Sequence, residues 1–183
     1  MTFTTPEKER THSMMKITTC SVRIAVTALA VLISTAACAQ SDAQKSFTQL
    51  KSLAGTWQGK NGQGMPLEVK FRDTADGSAL MSEIQGHGPE NMISMIHLDG
   101  PNRLMITHYC SAGNQPRMQG TASPDGKTFT FDFVDATNLA TPDAGHMQRV
   151  VFTIVDADHH TEEWTFMDHG KQMKEFFDLR RKA

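Results

Sequence analysis

From Gly55 onward the sequence is a succession of short segments in which apolar and polar residues alternate, separated by clusters of Gly, Pro, Asp and Asn. This period of two is typical of strands that bury one face and expose the other. No helical pattern interrupts the succession, so the predicted fold class is all-β. About ten strands are expected, at 55–60, 66–73, 78–85, 91–98, 103–110, 116–122, 127–134, 146–155, 160–168 and 171–180.

The connections between these segments have the residues of hairpin turns. Segments 74–77, 99–102, 123–126 and 169–170 each contain Gly, which accepts positive φ, and two of them add Pro, which fixes the first turn residue. Successive strands should therefore be antiparallel neighbours. An open meander of ten strands would leave two unprotected edges, so we predict a closed up-and-down antiparallel barrel.

One short helix is predicted before the barrel. Phe47, Leu50 and Leu53 recur every three residues and give a single apolar face, which indicates a helix within residues 40–54. The barrel domain would then occupy residues 55–183.

The first 39 residues have the pattern of an export signal. The segment Val22–Ala37 is mostly apolar, follows Lys16 and ends in the small residues around Cys38, which predicts a signal peptide over 14–39. Residues 1–13 are interpreted as a disordered, over-extended gene start. The mature protein is therefore expected to be periplasmic or secreted.

A lipid anchor at Cys38 remains an alternative, because Thr35-Ala36-Ala37-Cys38 is similar to a lipoprotein box in which the cysteine is acylated. No segment reaches the roughly 20 strongly apolar residues of a transmembrane helix, so none is predicted.

The charge of the chain argues against nucleic acid as a partner. Its 18 Lys and Arg and 20 Asp and Glu give a formal net charge of −2, and the basic residues form no cluster. Long-range attraction to nucleic acid needs such a cluster. The oligomeric state is left open.

Tight turns fix strand register, so side chains can be assigned to the two faces of the sheet. If Leu98 lies opposite Arg103, one face collects His97, His108 and Cys110 with three phenylalanines, Phe131 among them. This aromatic face should be the barrel interior.

Ionisable residues are also expected inside. Pairing the last three strands through their turns places Arg149, His160 and Glu162 on the same face as Trp164 and Phe177. Buried ionisable groups are costly unless they are paired or hydrated. Such an interior indicates a wet cavity with a ligand or an ion-pair network.

These residues predict a binding protein that holds a small hydrophobic or amphipathic molecule in its interior, since such cavities are mostly apolar with a few polar anchors. An alternative is an enzyme, an isomerase or hydrolase, that uses His108 with Glu162 or His160 as acid–base groups. A third is a chaperone-like protein, which a filled barrel would favour. No metal site is predicted. The expected ligand-binding residues are His97, His108, Cys110, Phe131, Arg149, His160 and Glu162.

Gly55-Thr56-Trp57, which follows the short helix and opens the first strand, resembles the Gly-x-Trp signature of lipocalins and their calycin relatives. In that superfamily the Trp closes the barrel base against a late Arg. The resemblance therefore implies structural roles for Gly55, Trp57 and Arg180 or Arg181.

The chain departs from classical lipocalins in having ten predicted strands, no long C-terminal helix and no internal disulfide. These departures make it more similar to fatty-acid-binding-like or nitrobindin-like barrels. No cofactor is expected, with one alternative: resemblance to nitrobindin-like barrels implies haem, with His160 as its ligand.

Overall fold

The structure is a computed structural model that describes residues 40–86 and 91–183. The predicted signal segment 14–39, the predicted over-extended start and Cys38 lie outside these residues. Within the described part of the chain, no helix is long and apolar enough to cross a membrane.

Within residues 40–86 and 91–183, one helix precedes ten strands, as the sequence predicts. Helix α1 (Asp42–Leu50) runs into a 3₁₀ turn (Lys51–Leu53). The strands are β1 (Gly55–Lys60), β2 (Pro66–Thr74), β3 (Ala79–Gln85), β4 (Asn91–Leu98), β5 (Leu104–Tyr109), β6 (Gln115–Ala122), β7 (Thr128–Thr137), β8 (His146–Asp156), β9 (His159–Asp168) and β10 (Lys171–Arg181).

The sheet closes on itself. Each strand pairs antiparallel with the next one along the chain, and β1 pairs with β10 from Trp57 opposite Arg181 to Lys60 opposite Asp178. The predicted closed, all-β antiparallel barrel is therefore confirmed.

Helix α1 covers the end of the barrel at which β1 begins, which we call the closed end. Ser41 caps the helix, and its side chain and that of Gln44 form a reciprocal capping box. The helix packs against β4, β5 and β6. Phe47, Leu50 and Leu53 are buried there, as the predicted apolar face requires. The opposite end, where β1 ends, is called the mouth.

Trp57 is the centre of the closed end. Its side chain is fully buried, and its indole Nε1 donates to the Leu53 carbonyl at 2.7 Å. The guanidinium of Arg181 lies 4.2 Å from the ring centroid, a cation–π distance. Arg181 also donates to the carbonyls of Ser52, Ala54 and Ala157 at 2.8 to 3.0 Å. One arginine thus joins the helix, the first strand and the β8–β9 turn.

Gly55 is required by this arrangement. Its φ of +136° lies in the region that favours glycine, and an added Cβ would approach Arg181 Nη1 to 2.7 Å. Arg180, the other arginine considered from the sequence, is exposed and opposite Gln58. The Arg–Trp contact expected from the resemblance is therefore made by Arg181 and not by Arg180.

We predict that Arg181→Ala lowers the free energy of unfolding by about 2–3 kcal/mol, because hydrogen bonds from a charged donor and a cation–π contact are lost together. Arg180→Ala is the matched control and should change it by less than about 0.5 kcal/mol. Urea denaturation of both variants measures the difference. Equal effects would contradict the role given to Arg181.

The predicted inward orientation of His97 is wrong. Leu98 pairs with Leu104 and not with Arg103, because the β4–β5 connection closes with the Asp99 amide donating to the Arg103 carbonyl. A shift of one residue moves every side chain of a strand to the other face. His97 therefore faces outward, while Ser94 and Ile96 are buried inside.

The predicted inward orientation of Arg149 is also wrong. Register shifts lie between Met147 and Arg149 and again near the end of β8. They place Val150 and Phe152 inside and leave Arg149 on the outer wall, where it donates to Asp132 at 2.6 Å. A bulge inserts a residue that alternation along the sequence does not reveal.

Candidate functional site

Three polar side chains form a row across the inside of β3, β4 and β5. Ser82 lies opposite Ser94 on β4, and Ser94 lies opposite His108 on β5. All three are at most 1% exposed. Each follows the inward alternation of its strand, so the strand register itself brings them together.

His108 has one satisfied and one unsatisfied ring nitrogen. Its Nδ1 lies 2.9 Å from Ser94 Oγ, whereas Nε2 has no partner among the described residues. The hydroxyl of Ser82 is likewise buried without a partner there. Burial lowers the pKa of His108 from 6.5 to about 4, so the ring is neutral at ordinary pH. Buried polar groups are nearly always hydrogen-bonded, which makes these two atoms candidates for ligand contact.

A second polar cluster lies on β9 and is closer to the closed end. Glu162 accepts from the indole Nε1 of Trp164 at 2.8 Å through one oxygen, and its other oxygen lies 3.1 Å from His160 Nε2. His160 and Glu162 are both fully buried. The Trp164 ring lies 4.9 Å from that of His108 and connects the two clusters.

The surroundings of His160 do not fit an axial haem ligand. Trp57 contacts its ring edge-on at 4.2 Å between centroids, and Phe71 lies at 5.7 Å. Its Nε2 lies 3.1 Å from Glu162, while its Nδ1 has no partner among the described residues. A porphyrin would have to displace these buried contacts in order to reach the ring, which argues against His160 as its ligand.

Toward the mouth the inward side chains are mostly apolar, and some of them are partly exposed. Inward residues in the middle of the barrel and toward its closed end, such as Leu80, Ile96 and Leu179, have no exposed surface. Near the mouth, several inward residues are buried to at least nine-tenths, others are partly exposed, and Met173 is 47% exposed. We call this set the mouth ring: Leu67, Ile84, Met92, Phe133, Phe166, Met173 and Phe177.

The other predicted site residues occupy different positions. Phe131 is fully buried and packs edge-on against Phe152 at 5.9 Å, as a core residue does. Cys110 is half-buried in the turn after β5, where its backbone amide donates to the Asn114 carbonyl. His97 and Arg149 belong to the outer wall. The interior therefore brings together His108, His160, Glu162 and Phe131.

Ser82 and Ser94 were missed as site residues from the sequence. Their signal was available, since each serine alternates with aliphatic residues on its own strand. The one-residue error in the β4–β5 connection assigned Ser94 to the solvent face and concealed it.

A cleft of about 750 Å³ lies elsewhere, between α1 and the β6–β7 hairpin. Its lining includes Lys45, Gln49 and Lys127 together with other residues of the hairpin. Among the described residues, no group of three or more His, Cys, Asp or Glu side chains is placed to hold a metal ion.

Comparisons with known proteins identify a similar fold. No family model matches this sequence, and no curated protein matches it. The crystal structure of Rv2717c from M. tuberculosis has a TM-score of 0.53 and 16% identity, over 75% of this chain and 98% of that one. A protein of unknown function from the DUF3598 family of Nostoc punctiforme has a TM-score of 0.49 and 10% identity, over 73% and 49%. At 16% identity, the likeness to Rv2717c shows the fold alone.

We predict that Glu162→Ala destabilises the barrel by about 3–5 kcal/mol, because His160 and Trp164 would keep buried polar atoms without their partner. The neighbouring Glu163 faces outward and bonds Lys174 at 2.6 Å, so Glu163→Ala should cost less than about 1 kcal/mol. Thermal or urea unfolding of both variants tests this. A mild effect of Glu162→Ala would show that the pair is not a structural element of the core.

Acid should weaken the fold through His108. Because burial lowers its pKa to about 4, the unfolded chain binds more protons between pH 4 and 6.5. The stability from the neutral ring is complete above pH 6.5 and is lost as the pH falls toward 4. Urea unfolding at pH 7.5 and pH 4.5 should show a loss on the order of 2–3 kcal/mol larger in wild type than in His108→Gln. Equal losses would mean that water reaches the ring in the folded protein.

Proposed function

We propose that this protein binds a small hydrophobic or amphipathic molecule at the mouth end of the barrel interior. The observation that carries the proposal is the pair of buried, unpartnered atoms, His108 Nε2 and Ser82 Oγ, in a barrel whose inward apolar side chains include partly exposed ones near the mouth. An apolar site with a few polar anchors is the usual composition of a small-molecule pocket.

The energetics support a ligand at this position. A buried donor or acceptor without a partner costs about 1–3 kcal/mol, and a ligand that supplies the partner recovers that cost. The mouth ring adds apolar surface that a ligand would remove from water, at roughly 25 cal/mol per Å². The calycin resemblance of Gly55-Thr56-Trp57 supports the same proposal, since interior ligands are a property of that superfamily.

An acid–base enzyme receives less support. The structure pairs His108 with Ser94 and pairs Glu162 with His160 and Trp164, so both carboxylate oxygens already have contacts within hydrogen-bond distance. A general base must reach the proton that it removes. The export predicted from residues 14–39 would present the binding site to periplasmic or extracellular molecules.

We predict that His108→Leu weakens binding of Nile red, an uncharged apolar dye with a carbonyl group, by about fivefold or more, which corresponds to about 1 kcal/mol. The variant keeps much of the side-chain volume, and its stability should change little, because one unpartnered buried atom, His108 Nε2, is exchanged for another, Ser94 Oγ. Fluorescence titration and melting temperature measure the two effects.

His97→Leu is the matched control, because His97 lies on the outer wall of the adjacent strand. It should leave dye affinity unchanged. If His108→Leu lowers stability and leaves the affinity of the dye as it is in wild type, His108 is a core residue. If the wild-type protein binds no dye, the proposed function fails.

A further inference from the structure

Inside the described barrel, a ligand would find hydrogen-bonding groups, whereas most basic side chains of the strands lie outside. Along each strand, side chains that alternate with the buried residues face outward, and most basic residues have that position. The exceptions are Arg181, at the closed end, and Lys171, at the tip of the β9–β10 hairpin opposite Asp168. The outward-facing set is Lys60, Lys70, Arg72, Arg117, Arg149, Lys174 and Arg180.

The acidic side chains near the mouth would repel a negatively charged ligand. Glu175 shares the inward alternation of β10, and its carboxylate accepts from the Gly62 amide at 2.8 Å and from Gln63 Nε2 at 2.9 Å. Glu162 lies deeper on the neighbouring strand. His108 supplies no compensating charge, because burial keeps its pKa near 4. A carboxylate that entered the mouth would meet these carboxylates inside. The described basic groups of that end, Lys171 and His169, lie at the tip of the β9–β10 hairpin beside Asp168.

On the basis of the proposed function, we propose that the mouth selects uncharged amphiphiles, with an alcohol, ketone or amide as their one polar group, over carboxylates such as fatty-acid anions. Burial of an unpaired charge costs far more than burial of a neutral polar group that finds a hydrogen bond. The hydroxyl of Ser82 and Nε2 of His108 supply hydrogen-bonding groups that a neutral head group can use.

The test compares two ligands of equal chain length, decan-1-ol and decanoate, at pH 7.5. Calorimetry or the fluorescence of Trp164, whose ring adjoins His108, follows binding. We expect decan-1-ol to bind at least tenfold more tightly. Ser82→Ala should weaken decan-1-ol binding severalfold, whereas Thr153→Ala, on the outer face of β8, should leave it unchanged.

The outcomes separate this inference from the proposed function. Equal or tighter binding of decanoate overturns the charge selectivity and leaves ligand binding in place. Failure of both amphiphiles in a protein that binds Nile red overturns the inference as well. Failure of all three ligands overturns the proposed function itself. If Ser82→Ala and Thr153→Ala behave alike, Ser82 is not an anchor of the head group.

Discussion

Closure of the sheet between β1 and β10 is the constraint on which the rest of the structure depends. Closure pairs the strand edges, and it also fixes the diameter, because barrel width increases with strand number. Eight strands leave an interior that side chains can just fill, and ten leave a wider one. At the closed end the extra width is filled by helix α1, Trp57 and a ring of contacts around His160. At the mouth, Met92, Phe133, Phe166 and Met173 keep some exposed surface, whereas Leu67, Ile84 and Phe177 are buried.

The two polar clusters inside the barrel differ in position and in how far their hydrogen bonds are satisfied. Glu162 receives contacts on both oxygens, so its burial is compensated within the protein. His108 and Ser82 each keep an atom without a described partner, and so does His160 at Nδ1. A satisfied buried carboxylate stabilises one arrangement of a core, which supports a structural role for Glu162. His108 lies nearer the mouth than the β9 cluster does, and this position supports the binding role proposed for it.

Most of the fold could be predicted from the sequence because the determinants are local. Alternation defined the strands, turn residues defined the antiparallel order, and the resemblance carried by Gly55-Thr56-Trp57 implied the role of Trp57 at the closed end. The candidate site was predicted in part: His108, His160 and Glu162 were placed inside, and Phe131 with them. Each error comes from a one-residue displacement in strand pairing that the sequence pattern does not reveal. A longer β4–β5 connection turned His97 outward and hid Ser94, and bulges in β8 turned Arg149 outward. Arg181 and not Arg180 contacts Trp57, because the two arginines lie on opposite faces of β10 and only Arg181 is on the face of the Trp57 ring.

The low pKa of His108 would make the proposed selectivity for uncharged ligands independent of pH over most of the range. Above pH 5 the ring is neutral, and an ordinary carboxylic acid, with a pKa of about 4.3, is an anion that the ring cannot pair with. Below pH 4 the ring becomes cationic, but the same ligand is then protonated and carries no charge to pair with it. The two groups titrate so close together that a cationic site and an anionic ligand coexist only in a narrow interval around pH 4. An uncharged head group meets a neutral ring everywhere above that interval, where the fold is also at its most stable with respect to His108.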